Sequence, residues 1–73
     1  MQEDKYFIVI NELTDKLKEF RASKKLSQKE VAYKAEMEEQ NYRRIELGNT
    51  NPTIKSLVKI CNALDIEIKD LFI

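Results

Sequence analysis

Residues 26–72 read LSQKEVAYKAEMEEQNYRRIELGNTNPTIKSLVKICNALDIEIKDLF, and the punctuation of this stretch decides the fold. Ser27-Gln28-Lys29-Glu30 opens a short helical pattern. Ser27 stands where a side-chain oxygen accepts from the third helical N–H, and Glu30 can reach back to the serine N–H as a capping box. A break near Glu36 leads into a second pattern over about 38–47, with Glu38 and Glu39 in its first turn, where the helix dipole favours anions. Gly48 ends it where the backbone is expected to turn left-handed. Thr53, after Pro52, caps another helix, and after Asp65 a last helical turn is expected over about 67–72.

The apolar positions follow the same divisions. Leu13, Leu17 and Phe20 recur at helical spacing and predict a helix over about 11–24, with Asn11 as its N-cap and Ser23-Lys24-Lys25 at its negative pole. Val31, Ala32 and Ala35 form the thin apolar face of the next helix, and their small side chains allow a close neighbour. Met37, Tyr42 and Ile45 face inward from the third, with the Tyr42 hydroxyl expected at the surface. Ile54, Leu57, Ile60, Cys61 and Leu64 make the stripe of the fourth, and Ile68, Leu71 and Phe72 return to the core. The expected fold is all-α: a compact bundle of five short helices forming one domain over 1–73, with an N-terminal arm 1–10 and a body 11–72.

Composition removes most other functions. A chain of 73 residues buries one small core and leaves no room for a deep catalytic cleft. It has no histidine and a single cysteine, so the commonest general base, a disulfide within the chain and a cysteine-based metal site are all missing. Cys61 reads as a small apolar core residue. No enzyme activity, cofactor or metal is expected. The longest apolar run, Tyr6–Ile10, is too short to span a membrane or serve as a signal-peptide core, so the chain reads as cytoplasmic with no membrane partner. Thirteen basic residues balance thirteen acidic ones. Residues 11–25 are locally basic, with five basic against three acidic side chains. Affinity for a polyanion should therefore be modest and salt-dependent.

Residues 5–10, KYFIVI, admit two readings. Three consecutive β-branched residues favour a strand, which would need a partner from another chain. Phe7 and Ile10 also continue the stripe of Leu13 and Leu17, which reads as extra helix covering the core.

Two short helices joined by a turn over 28–47, then a glycine stop, frame a helix-turn-helix motif. From Leu13 to Phe72 the order of landmarks resembles the lambda-repressor/Cro-like (XRE) family: Leu17 and Arg21, Leu26-Ser27-Gln28, Ala32, Ile45-Glu46-Leu47-Gly48, Asn51-Pro52-Thr53, Leu57, Ile60, Ala63-Leu64 and Leu71-Phe72. The resemblance implies a sequence-specific DNA-binding transcriptional regulator, working as a homodimer on a palindromic double-stranded operator with its recognition helix, about 38–47, in the major groove. It gives Gln28 a backbone phosphate. It places Glu39, Gln40 and Asn41 at base edges, with Arg44 one turn on. Gln or Asn can bond adenine twice, Arg can do the same to guanine, and Glu can accept from cytosine. Asn49, Thr50 and Asn51 match positions that meet phosphate, and Arg43 reaches a phosphate or balances nearby glutamates. Arg21 and Glu46 match an internal ion pair.

The family usually has glycine in the turn where this chain has Glu36. Either Glu36 adopts the left-handed conformation at a cost on the order of 1 kcal/mol, or the turn is reshaped and the recognition helix tilts. Two apolar patches are candidates for dimerisation: the arm residues Tyr6, Phe7, Ile8 and Ile10, and the C-terminal Ile68, Phe72 and Ile73. Two other functions share the frame. One is the antitoxin of a toxin–antitoxin pair, which also binds a toxin protein. The other is a protein-interaction module that has lost DNA binding, which the neutral charge and the Glu38-Glu39 pair allow.

Overall fold

A computed structural model of the protein describes residues 2–72. Four α-helices, α1 (Gln2–Ser23), α2 (Gln28–Lys34), α3 (Glu39–Leu47) and α4 (Ile54–Leu64), are followed by a short 3-10 helix, Ile68–Phe72. The all-α expectation holds among the described residues. The fifth element is a 3-10 turn rather than a fifth α-helix.

The starts of α2 and α4 follow the sequence signals. Ser27 Oγ accepts from the Glu30 N–H at 3.0 Å, and Glu30 accepts from the Ser27 N–H at 2.8 Å, closing the capping box. Thr53 Oγ1 accepts from the Ser56 N–H at 3.0 Å and starts α4. Glu38 occupies the cap position of α3 without bonding through its side chain, so that helix begins at Glu39.

The helix ends share one device. Lys25, Glu36, Gly48 and Asp65 all have positive φ, at 59°, 56°, 77° and 58°. The residue after each sends its N–H back to a carbonyl of the last turn: Leu26 to Arg21, Met37 to Ala32, Asn49 to Arg44 and Ile66 to Cys61. This is the Schellman closure, which uses a left-handed residue to satisfy carbonyls the helix leaves free. The chain has one glycine for four such positions, so three L-residues carry the strain. Leu26, Met37 and Ile66, the residues that follow them, pack against the core. That burial offsets the strain. Glu36 thus keeps the left-handed conformation, and the turn is not reshaped.

Leu13, Leu17, Val31, Ala32, Ala35, Tyr42, Ile45, Leu57, Ile60, Cys61, Leu64 and Leu71 form a single buried cluster shared by every helix. Burial beside Asp70 pushes the Cys61 thiol above its ordinary range, as expected for an inert core residue. Ile54 departs from its expected place. It is 66% exposed, because the first residue of α4 points away from the face that Leu57 and Ile60 bury.

The N-terminal segment is the largest correction. Residues 5–10 are helical and continuous with α1, so the strand reading fails, and Asn11 lies inside the helix rather than capping it. A lone strand would leave its amides and carbonyls unpaired, whereas a helix satisfies them within the segment. Ile10, expected in a dimer patch, is buried beside Gly48. A Cβ on Gly48 would lie 3.2 Å from Asn11 Oδ1 and 3.6 Å from Ile10 Cγ2, so its small size lets α1 pass close to the end of α3.

Candidate nucleic-acid interface

The site is built on α3. One face of this helix is buried through Tyr42, Ile45 and Glu46. The opposite face carries Gln40, Asn41, Arg43 and Arg44, all exposed, with Glu39 partly covered. Periodicity alone places these groups opposite the core, so the sequence-predicted base-reading residues come together on one rigid surface. Arg43 Nη2 bonds Glu39 Oε2 at 2.6 Å across one helical turn. Of the two roles open to Arg43, balancing a neighbouring glutamate is the one seen. Asn49, Thr50 and Asn51 extend the surface beyond Gly48, and a shallow groove runs between Asn41 and Arg44 on one side and Thr50, Asn51 and Ser56 on the other.

Behind this surface sits a polar cluster centred on Glu46, which is 2% exposed. Arg21 meets its carboxylate with two donors, Nε to Oε2 at 2.6 Å and Nη2 to Oε1 at 3.2 Å. Gln28 Nε2 donates to Oε1 at 2.9 Å, and the Tyr42 hydroxyl donates to Oε2 at 2.5 Å. Arg21 Nη1 also bonds the Leu26 carbonyl at 3.1 Å. Side chains of α1, α2 and α3 therefore converge on one carboxylate, and each of its oxygens takes two donors. Burial pushes the Glu46 carboxyl up, but the bonds from Arg21, Tyr42 and Gln28 outweigh it and hold the group below its usual range. Burial and the adjacent carboxylate push the Tyr42 phenol well above its own range. The bond to Glu46 raises the Arg21 guanidinium further.

The Arg21–Glu46 pair implied by the sequence is present. The Tyr42 hydroxyl, expected at the surface, is instead buried against Glu46. The spacing of Tyr42 and Glu46 by one helical turn was the available signal. Leu47 also lies on the outer side of α3. It is 65% exposed and borders the same outer hollow as Gln40, Arg43 and Arg44. Its spacing from Gln40 and Arg44 places it on the outer face, but an apolar residue at a helix end reads as packing.

A helix-turn-helix family pattern matches residues 17–71, most of the chain. The protein belongs to the XRE-type helix-turn-helix family. It is 34% identical over 61 residues to an uncharacterised HTH-type transcriptional regulator of Methanocaldococcus jannaschii, covering 84% of this chain and 92% of that one. A similar regulator of Archaeoglobus fulgidus is 33% identical over 58 residues, covering 80% and 82%. Among solved structures, the restriction-modification controller protein C.AhdI from Aeromonas hydrophila superposes with a TM-score of 0.83 at 30% identity, covering 86% of this chain and 96% of that one. The clp gene regulator ClgR from Corynebacterium glutamicum shares the fold, with a TM-score of 0.83 at 23% identity, covering 88% and 68%. As an XRE-type protein, this chain is a DNA-binding transcription regulator rather than an enzyme. No helix among the described residues is long and apolar enough to cross a membrane.

Proposed function

We propose that this XRE-type protein is a sequence-specific operator-binding regulator that works as a homodimer, with α3 seated in the major groove. The observation that carries the reading is the two-sidedness of α3. Its inner face is bolted to α1 and α2 through Glu46, and its outer face offers exposed Gln40, Asn41 and Arg44 on a helix that cannot easily tilt. In this reading Gln40 or Asn41 bonds adenine and Arg44 bonds guanine. Leu47 supplies an apolar contact to a thymine methyl, and Glu39, aimed by Arg43, accepts from cytosine. Gln28, Asn49, Thr50 and Asn51 position the helix through backbone phosphates and carry no sequence information.

One recognition helix reads few bases, which favours a two-fold arrangement on two half-sites. The apolar strip of α1 supports a dimer. Phe7, Ile8 and Val9 are each more than half exposed, as is Phe72 at the C-terminal end. Ile10 and the partly buried Ile68 serve the protein's own core, and Ile73 lies outside the described residues. Selection from random duplex at low salt should enrich a roughly palindromic site with half-sites about 10 bp apart. No enrichment would overturn the reading. The same strip is where a toxin would dock on an antitoxin. A stable complex with a separately encoded toxin, in place of self-association, would select that function instead.

A further inference from the structure

Two neighbouring arginines on the outer face of α3 are in different states. Arg43 Nη2 lies 2.6 Å from Glu39 Oε2, while Arg44 has no carboxylate partner among the described residues. Both border the same outer hollow, with Glu39, Gln40 and Leu47. Helical spacing sorts these side chains into two rows. Glu39, Arg43 and Leu47 recur every fourth residue along one row, and Gln40 and Arg44 do so along the next. The first row carries no net charge, and the second carries a positive charge on Arg44.

A phosphate accepts from any guanidinium that reaches it, whatever the base sequence. A second free arginine here would add that contact on every duplex. It would lengthen residence on random DNA without improving discrimination, because a gain shared by all sequences cancels from their ratio.

Glu39 opposes this. On the free protein the pair is weak, since both partners meet solvent, at 57% and 34% of their side-chain surface. At the DNA surface breaking it becomes costly. Freeing Arg43 would leave the Glu39 carboxylate uncompensated beside a row of phosphates, in a groove with less water to screen it. The remaining N–H groups of Arg43 keep their reach, but their charge is cancelled within 2.6 Å. The pair meets phosphate as a dipole and not as a cation.

We propose that Glu39 holds down the sequence-independent DNA affinity of this protein by withholding Arg43 from backbone phosphates. Glu39 is here a positioning residue that acts through Arg43, beside any base contact of its own. The proposal rests on α3 being the DNA-facing helix in the reading above. Arg43, despite its charge and exposure, then adds almost nothing to the phosphate contacts of the wild-type protein.

The salt dependence of binding tests this, with random duplex and the selected operator as probes between about 50 and 200 mM salt. Log affinity falls linearly with log salt, with a slope of magnitude about 0.9 for each phosphate neutralised. Glu39→Gln frees Arg43, so the slope should steepen by about 0.9 on both duplexes, and affinity for random duplex should rise about fivefold. Glu39→Gln combined with Arg43→Gln should return the slope to the wild-type value. Glu38→Gln removes the same charge from the preceding residue, whose side chain makes no capping bond, and should change the slope less than half as much. These side chains lie outside the core, so the variants should fold, which circular dichroism checks.

A double variant whose slope falls about 0.9 below wild type would put Arg43 on a phosphate already, and would overturn the proposal. An unchanged slope in Glu39→Gln overturns it too, as do equal effects of Glu39→Gln and Glu38→Gln, which would reduce the result to net charge. These outcomes leave the DNA reading intact. A wild-type protein that binds no duplex overturns that reading, and the proposal with it.

Discussion

Tyr42 and Glu46 stand one turn apart on the same helix, and the phenol hydroxyl of the first donates to the carboxylate of the second in the interior of the domain. An aromatic residue at a core position of α3 thus has a polar duty as well as a packing one. Among the described residues no buried side-chain nitrogen or oxygen is left without a partner, and this bond is part of the reason. Tyr42→Phe should keep the volume and remove one of four donors, costing about 0.5–1.5 kcal/mol. Urea denaturation reads the change, and a null effect would mean that Arg21 and Gln28 alone satisfy the carboxylate.

The ion pair behind it should show strong coupling. Glu46→Ala leaves the Arg21 guanidinium in a packed region without its partner, a change that can cost about 3–5 kcal/mol when the pair is fully buried. Arg21 retains some solvent access, at 22% of its side-chain surface, so a loss toward the lower end is expected. Arg21→Met combined with Glu46→Leu should destabilise less than either single replacement. Strictly additive losses would show that the pair is not energetically linked.

Acid should loosen the same cluster. The folded-state value of Glu46 is lowered, so its contribution is fully present above the unfolded carboxyl value, about 4.3, and is lost as pH falls through the lower folded value. Thermal stability should be flat from pH 7 to about 5 and drop below about 4.3. Glu46→Gln should flatten that acid limb without abolishing it. The Glu30 carboxyl is also lowered, by its bonds to the backbone and side chain of Ser27, and titrates in the same direction.

The three left-handed L-residues offer a stabilising prediction. Replacing Lys25, Glu36 or Asp65 by glycine removes a Cβ from a conformation it disfavours, and each change should raise stability by about 0.5–1 kcal/mol. The triple replacement should be close to additive, since the sites end different helices. The opposite change, Gly48→Ala, should destabilise, because the new Cβ meets Asn11 at the helix crossing as well as an unfavourable φ.

On DNA, Gln40→Ala and Arg44→Ala should each cost about 1–3 kcal/mol and relax preference at one base position, measured on single-base operator variants. Asn49→Ala should instead weaken binding to all sequences alike. Identical profiles for all three would overturn the division between reading and positioning.

Dimerisation should follow the outer face of α1. Ile8→Asp changes a side chain that is 56% exposed, so the fold should survive while self-association and operator affinity both fall. Sedimentation at micromolar concentration checks this, and an unchanged dimer would remove α1 from the interface.

By itself the sequence determined the starts of α2 and α4, the glycine stop, the single core and the polar outer face of α3. Those signals are local: capping residues and helical spacing act within a turn or two of chain, where the backbone's own hydrogen bonds settle the outcome. Three things were decided only by the tertiary structure. The packing of the N-terminal part of α1 onto the body rests on Ile10, buried beside Gly48, a contact between residues far apart in the chain. Lys25, Glu36 and Asp65 could take left-handed conformations because Leu26, Met37 and Ile66 reached the core immediately after them. Gln28 was drawn to Glu46 because a buried carboxylate must fill its acceptor sites with whatever donors the packed helices bring within reach, and nothing in local sequence says that a residue of another helix will be one of them.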